Sequence, residues 1–230
     1  MTETAADTLW LADWRRQVAA LYADVRSRAG SDPVAAWEHW RAERERLYRT
    51  HPQSPVPAAE RAAFRARHFP YDPALRFEAL AVEPAPAQPA PSDAGIPSDA
   101  GALSATGAVS AILPVSDGGA MSFTRIGRVE VPFPQGSRPL AVYWMAGYAG
   151  GLFLPFRDAT NGAETYAAGR YALDAAKSAD LGGDPVAGTL VVDFNFAFQP
   201  SCAFDPRWAC PLAPPENRLD LPVRAGERLT

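Results

Sequence analysis

The sequence predicts an α+β fold: an antiparallel β-barrel or sandwich core with two or three N-terminal helices. Three observations carry this reading. Apolar residues recur every three or four positions before residue 50, they alternate in short runs after residue 75, and no helix-length segment separates those runs. Parallel strands need long crossovers, usually helical, so the later strands are expected to pair antiparallel. The chain divides into an N-terminal helical segment, 1–70, and a β-rich domain, 75–230, with a flexible insertion at 84–107.

Taken in order, residues 7–29 read as an amphipathic helix. Leu11, Trp14, Val18, Leu21, Tyr22 and Val25 share one face, Asp7 can cap the start, and Gly30 can end it. Ser31-Asp32-Pro33 starts a second helix, since a capping side chain followed by proline suits the first helical turn. It continues through Trp37, Trp40, Arg44, Leu47 and Tyr48. Its Glu43, Arg44, Glu45 and Arg46 read as a solvated, mixed-charge face. A short third helix is expected over 57–67. Leu75 to Leu80 alternates as a strand. Within the insertion, Pro91-Ser92-Asp93-Ala94-Gly95 repeats as Pro97-Ser98-Asp99-Ala100-Gly101 and has almost nothing to bury. Further strands are expected at 109–116, 122–133, 138–146, 151–157, 169–174 and 188–198, with a last one at 219–224. Gly118-Gly119, Pro134-Gln135-Gly136, Asn161-Gly162 and Gly182-Gly183 supply the turns.

Composition narrows the class. The chain has 230 residues, 47% hydrophobic and 21% charged, which suits a folded domain with a substantial core. Net charge is -4 with no basic block, so nucleic acid has no electrostatic footprint to meet. No apolar run approaches the ~18 residues of a membrane span. The acidic start, Met1-Thr2-Glu3-Thr4, lacks the basic flank of a secretory signal, so a soluble cytoplasmic protein is the expectation.

Chemistry-bearing residues concentrate in two places. The first runs from Asp158 through Thr160, Asn161, Glu164 and Tyr166 to Arg170. Asp, Thr and Asn hydrogen-bond turn backbones, whereas arginine offers a rigid fork for a carboxylate or phosphate. An ion pair from Arg170 to Glu164 or Asp158 would hold the turn equally well. The second place is Asp193-Phe194-Asn195, at the end of the most β-prone run. A carboxylate there must be paired or solvated, with Arg170, Arg157 or Arg218 as candidate partners. Cys202 and Cys210 are separated by seven intervening residues in a proline-stiffened loop. Two cysteines and three scattered histidines are too few for a structural zinc site, so no metal is expected. Buried thiols are the simplest reading of the pair. Asn217 can bond backbone across Pro214-Pro215, which offer no donors.

These residues together resemble a known family, the uncharacterised prokaryotic proteins catalogued as domain of unknown function 1684. The resemblance rests on Asp158, Thr160, Gly162, Glu164-Thr165-Tyr166, Gly169-Arg170-Tyr171, Asp193-Phe194-Asn195, Pro200, Cys202, Cys210-Pro211, Pro214, Glu216-Asn217, Leu219 and Ala225-Gly226-Glu227. Trp40-Arg41, Ser54-Pro55 and Phe64 look like the family's N-terminal part. After Asp-Phe-Asn the family tends to carry a basic residue and then Ala-Tyr-Asn-Pro, where this chain has Phe196, Phe198 and Gln199. The resemblance implies a shared fold and site, and no activity.

Three functions follow as expectations. The first is a pocket for a small polar ligand contacted by Asp158, Glu164, Tyr166, Arg170, Asp193, Asn195 and Asn217. The second is a hydrolase with Asp193 or Glu164 as general base and Arg170 stabilising developing charge. The third is a structural polar network with no ligand. Sequence points to a small polar molecule as partner, away from nucleic acid and membrane. It names no cofactor and leaves the oligomeric state open.

Overall fold

Thr4 accepts the Asp7 backbone N–H at 3.2 Å while the Asp7 carboxylate accepts the Thr4 N–H at 3.0 Å, a reciprocal box that starts helix α1 (Ala5–Ala29). Gly30 ends it and Asp32 caps α2 (Pro33–Thr50) through the Ala35 N–H. The computed structural model describes residues 4–85, 109–148 and 150–229. The expected insertion at 84–107 therefore lies, from residue 86 onward, outside the described residues. The short helix expected over 57–67 is instead a string of turns. The Arg61 side chain accounts for this, donating to the carbonyls of Val56, Pro52 and Ser54 and holding the chain folded back on itself.

Among the described residues eight strands follow: β1 (Arg76–Pro84), β2 (Val109–Pro114), β3 (Ala120–Phe133), β4 (Gly136–Met145), β5 (Gly151–Phe156), β6 (Arg170–Asp174), β7 (Gly183–Asp184) and β8 (Thr189–Asp193). They form one antiparallel curled sheet, a half barrel, in the order β6-β5-β4-β3-β1-β8-β7, with β2 added against β3. Strand β1 joins the two parts of the curl. Its first half pairs with β8, Arg76 opposite Asp193, and its second half pairs with β3, Val82 opposite Val129. Gly127 permits that junction, because a Cβ there would stand 2.3 Å from the Glu83 carbonyl oxygen.

The strand pleat sends alternate residues to two cores. Leu140 and Val142 of β4 join Val129, Leu154, Phe156 and Val192 on one face. Ala141 and Tyr143 join Phe123, Phe153 and Tyr171 on the other, against Tyr22, Val25, Trp37 and Trp40 of the helices. The first face is covered by the C-terminal segment, whose Leu219, Leu221, Val223 and Ala225 are all buried there. This segment was expected as a strand at 219–224. Its inward alternation is present, but it joins no ladder, because side chains and lone backbone contacts satisfy its polar groups. The strand expected over 188–198 likewise stops at Asp193. That carboxylate accepts the Asn195 N–H at 2.9 Å and turns the chain into a short 3-10 helix, Phe194–Phe196.

Candidate functional site

Arg170 opens β6 and is fully buried, pointing away from solvent into the C-terminal segment. Its guanidinium donates to Asp158 Oδ2 at 2.8 Å and to the carbonyls of Val223 (2.7 Å), Glu227 (3.1 Å) and Ala225. It lies 5.1 Å from the Phe156 ring centre. Asp158 is equally occupied. Oδ2 also accepts the Val223 N–H at 3.0 Å, and Oδ1 accepts both the backbone N–H and the hydroxyl of Thr160. Asn161 completes the turn, accepting the Asp158 N–H and donating to Thr165 and the Tyr166 carbonyl. This is the Arg170–Asp158 pair that the turn chemistry allowed. Glu164 instead reaches outward to Arg224 at 2.9 Å, which holds its carboxyl below the usual range. The Tyr166 hydroxyl donates to Cys202 Sγ at 3.8 Å, and burial pushes its pKa up to about 12.

Asp193 belongs to a different network. It is fully buried and pairs with Arg76 at 3.2 Å, a partner the sequence reading did not name, while Arg170, Arg157 and Arg218 make no ion pair with it. Tyr71 donates to the same oxygen at 3.3 Å, and the Asn195 side chain donates to the other at 2.8 Å. Burial raises the Asp193 carboxyl above its ordinary value against the pull of Asn195 and Arg76. Asn195 also exchanges two 2.8 Å hydrogen bonds with the Asp72 backbone, so the segment before β1 is latched to the end of β8. Trp37 fastens α2 to the same point by donating to the Asn195 carbonyl at 2.8 Å.

Asn217 forms a third network. Its amide exchanges hydrogen bonds with the Ala141 N–H (2.8 Å) and carbonyl (2.9 Å), and it also donates to the Pro155 carbonyl at 2.7 Å. It does the work of a strand residue beside β4 and β5. Of the seven expected site residues, Asp158 and Arg170 are brought together, as are Asp193 and Asn195. No hydrogen bond among the described residues links the Asp158 network to the Asp193 network.

The helices supply groups that sequence reading assigned elsewhere. Arg44, expected on the solvated face, is buried and pairs with Glu227 through two contacts at 2.5 and 3.3 Å. Its guanidinium also stacks within 4.6 Å of the rings of Tyr48 and Phe198. The periodicity contained the signal, since Arg44 falls four residues after Trp40 and three before Leu47, on the apolar stripe. Burial alone would raise the Glu227 carboxyl, but Arg44, His68 and the Gln199 N–H at 2.8 Å outweigh it and lower the pKa. His68 sits against Trp40 and Trp37, ring centres 5.5 and 6.3 Å away, with neither ring nitrogen hydrogen-bonded. Burial lowers its pKa to about 4.

Glu227 and Gln199 also form the back wall of a concavity of about 230 Å³. Its lining is apolar at Val56, Phe64 and Phe204, and the exposed charged residues of its rim are Glu60, Arg65, Arg67 and Arg228. Arg65 donates to the carbonyls of Ala62 and Phe64. Arg67 and Arg228 make no ion pair and no side-chain hydrogen bond among the described residues. None of the seven expected residues lines this concavity.

Among known families, the one described as protein of unknown function (DUF1684) matches residues 64–228, and the chain belongs to it. Among solved structures, the chain is similar to an uncharacterized protein of Haloarcula marismortui determined by solution NMR, with 30% identity and a TM-score of 0.56. The match covers 88% of this chain and 97% of that one. No curated protein matches the chain. No helix of the described residues is long and apolar enough to cross a membrane.

Proposed function

We propose that this member of the DUF1684 family is a binding module for a small anionic ligand with an apolar body, held in the concavity between residues 56–67 and the C-terminal segment. One observation carries the reading: Arg67 and Arg228 line the same depression with neither guanidinium in an ion pair or a hydrogen bond among the described residues, Arg228 lying 5.5 Å over the Phe69 ring, while Arg44 and Arg170 are consumed by carboxylates and carbonyls. Arg44 already neutralises Glu227, and the lining's other carboxylate, Glu60, stands against Arg65, Arg67 and Arg228, so the rim carries net positive charge beside Phe64 and Phe204. A carboxylate meets a guanidinium fork through two parallel hydrogen bonds, and its apolar body displaces water from Phe64 and Phe204. On this reading Asp158, Arg170, Asp193, Asn195 and Asn217 brace the walls without touching the ligand.

The hydrolase alternative has less support. A general base must reach its substrate, and Asp193 is shut behind Arg76 and Tyr71 while Glu164 is committed to Arg224. A cytoplasmic location belongs to the same proposal, and cell fractionation tests it. The binding test is thermal denaturation of the purified chain across a panel of aromatic and branched aliphatic carboxylates. A ligand at one hundred times its Kd stabilises the fold by about 2.7 kcal/mol. The Arg67→Ala, Arg228→Ala double variant should keep the unliganded melting temperature and lose that gain. An equal gain in the double variant, or no gain from any carboxylate in the parent, sinks the reading.

A further inference from the structure

The loop after β8 brings two thiols into contact without joining them. Cys202 and Cys210 are both free and buried, 9% and 1% exposed. The Cys202 N–H donates to Cys210 Sγ at 3.3 Å, which sets the two thiols side by side. The Tyr166 hydroxyl donates to Cys202 Sγ, and the Cys210 N–H is held by Ser116 Oγ at 3.0 Å. A second concavity, of about 180 Å³, opens beside them. Cys210, Ser201, Lys177, Trp14 and Trp208 contribute to its lining, and Lys177 is anchored by Asp174 at 3.2 Å.

We propose that Cys202 and Cys210 form a dithiol that hydrogen peroxide or a small alkyl hydroperoxide oxidises to an intrachain disulfide, with Cys202 as the attacking sulfur. Geometry makes the two sulfurs unequal. Cys202 retains more exposure than Cys210, and the neighbouring Cys210 thiol and the Tyr166 hydroxyl favour its thiolate and lower its pKa to about 6. Cys210 holds its proton against that thiolate, and its pKa is raised. The concavity is lined by Cys210 and not by Cys202, so peroxide reaches Cys202 through the exposure that residue itself retains.

The chemistry balances in two steps. The Cys202 thiolate attacks one peroxide oxygen, the O–O bond breaks, and the departing hydroxide takes a proton to leave as water, giving Cys202 sulfenic acid. The Cys210 sulfur then attacks the Cys202 sulfur, the S–O bond breaks, and a second water leaves with the Cys210 proton. One peroxide is reduced to two waters, or to an alcohol and water for an alkyl hydroperoxide, while two thiols become one disulfide. This inference is independent of the ligand proposed above.

The test uses the reduced full chain, freed of reductant and treated with hydrogen peroxide at a dose that oxidises free cysteine only slowly. The parent should lose about 2 Da as the disulfide forms, and Cys210→Ser should instead accumulate a dimedone-trapped sulfenic acid on Cys202. Cys202→Ser should stay unoxidised at that dose. A parent that keeps both thiols, or a Cys210→Ser variant with no adduct, overturns the proposal. Brief iodoacetamide labelling of the native parent at neutral pH decides the matter should either variant fail to fold. Cys202 should be alkylated before Cys210, and equal or reversed labelling refutes its role.

Discussion

Replacing Arg170 by methionine should cost the fold more than any surface change, and the contacts say how much. Methionine keeps most of the stem that packs near Phe156 and removes the guanidinium. Asp158 is then left as a buried carboxylate without its cation, and breaking a buried pair from one side costs about 3–5 kcal/mol. The carbonyls of Val223, Ala225 and Glu227 lose their donors at the same time, and each unsatisfied buried group costs about 1–3 kcal/mol. These losses share one site and overlap, so about 4–6 kcal/mol is the expected total, against a typical folding free energy of about 5–15 kcal/mol. Urea unfolding followed by circular dichroism measures it as a shift in midpoint at unchanged slope. The double variant Asp158→Ala, Arg170→Met should be less destabilised than the sum of the single changes by about 2 kcal/mol or more, because it removes the orphaned charge. Arg224→Ala, which breaks only the exposed pair with Glu164, should leave the midpoint unchanged. An Arg170→Met variant within 1 kcal/mol of the parent, roughly the size of an ordinary hydrogen bond, would refute the reasoning and return Arg170 to the list of ligand-contacting groups.

Three further outcomes can be checked in the same assay. His68 has its folded pKa lowered from 6.5 to about 4, so the unfolded chain binds the proton first as pH falls. Stability from this group is complete above pH 6.5 and declines toward pH 4, by up to about 3 kcal/mol, and His68→Phe should flatten that slope across pH 7 to 4. Asn217→Ala strands the Ala141 N–H and two carbonyls and should cost about 2–4 kcal/mol, read from the urea midpoint. Gly226→Ala places a Cβ 2.3 Å from the Ala197 carbonyl oxygen on a backbone with φ of 75°, and should lower the melting temperature by several degrees or prevent folding.

Much of the element plan was legible because it rests on local rules. The second helix starts at Asp32 as its Ser-Asp-Pro signal says, and the strand periods follow from the pleat, whereas the first helix is capped by Thr4, three residues before the Asp7 cap that the sequence suggested, with Asp7 completing the box. The Asp158 turn was readable too, since its Thr160 and Asn161 partners are two and three positions away. Where the reading failed, the deciding partner was remote in sequence. Asp193 pairs with Arg76 because β1 lies beside β8, 117 positions away along the chain. Arg44 meets Glu227 across 183 positions, and nothing local to a Glu-Arg-Glu-Arg run distinguishes its one buried guanidinium except the phase of the helix stripe. The 219–224 segment alternates like a strand, yet the neighbour that would have made it one is replaced by the side chains of Arg170 and Asp158.

The sequence by itself determined the two N-terminal helices, most of the strands in their order, the antiparallel character of the sheet, and the residues with chemistry to offer, because propensity, capping and periodicity act over a handful of neighbours. Only the tertiary structure decided which of those residues became braces and which stayed open. A polar side chain's role depends on whether its hydrogen-bonding capacity is exhausted by groups brought from elsewhere. Arg170 and Arg228 are the same residue type; the fold spends one on four buried oxygens and leaves the other at the rim of a concavity.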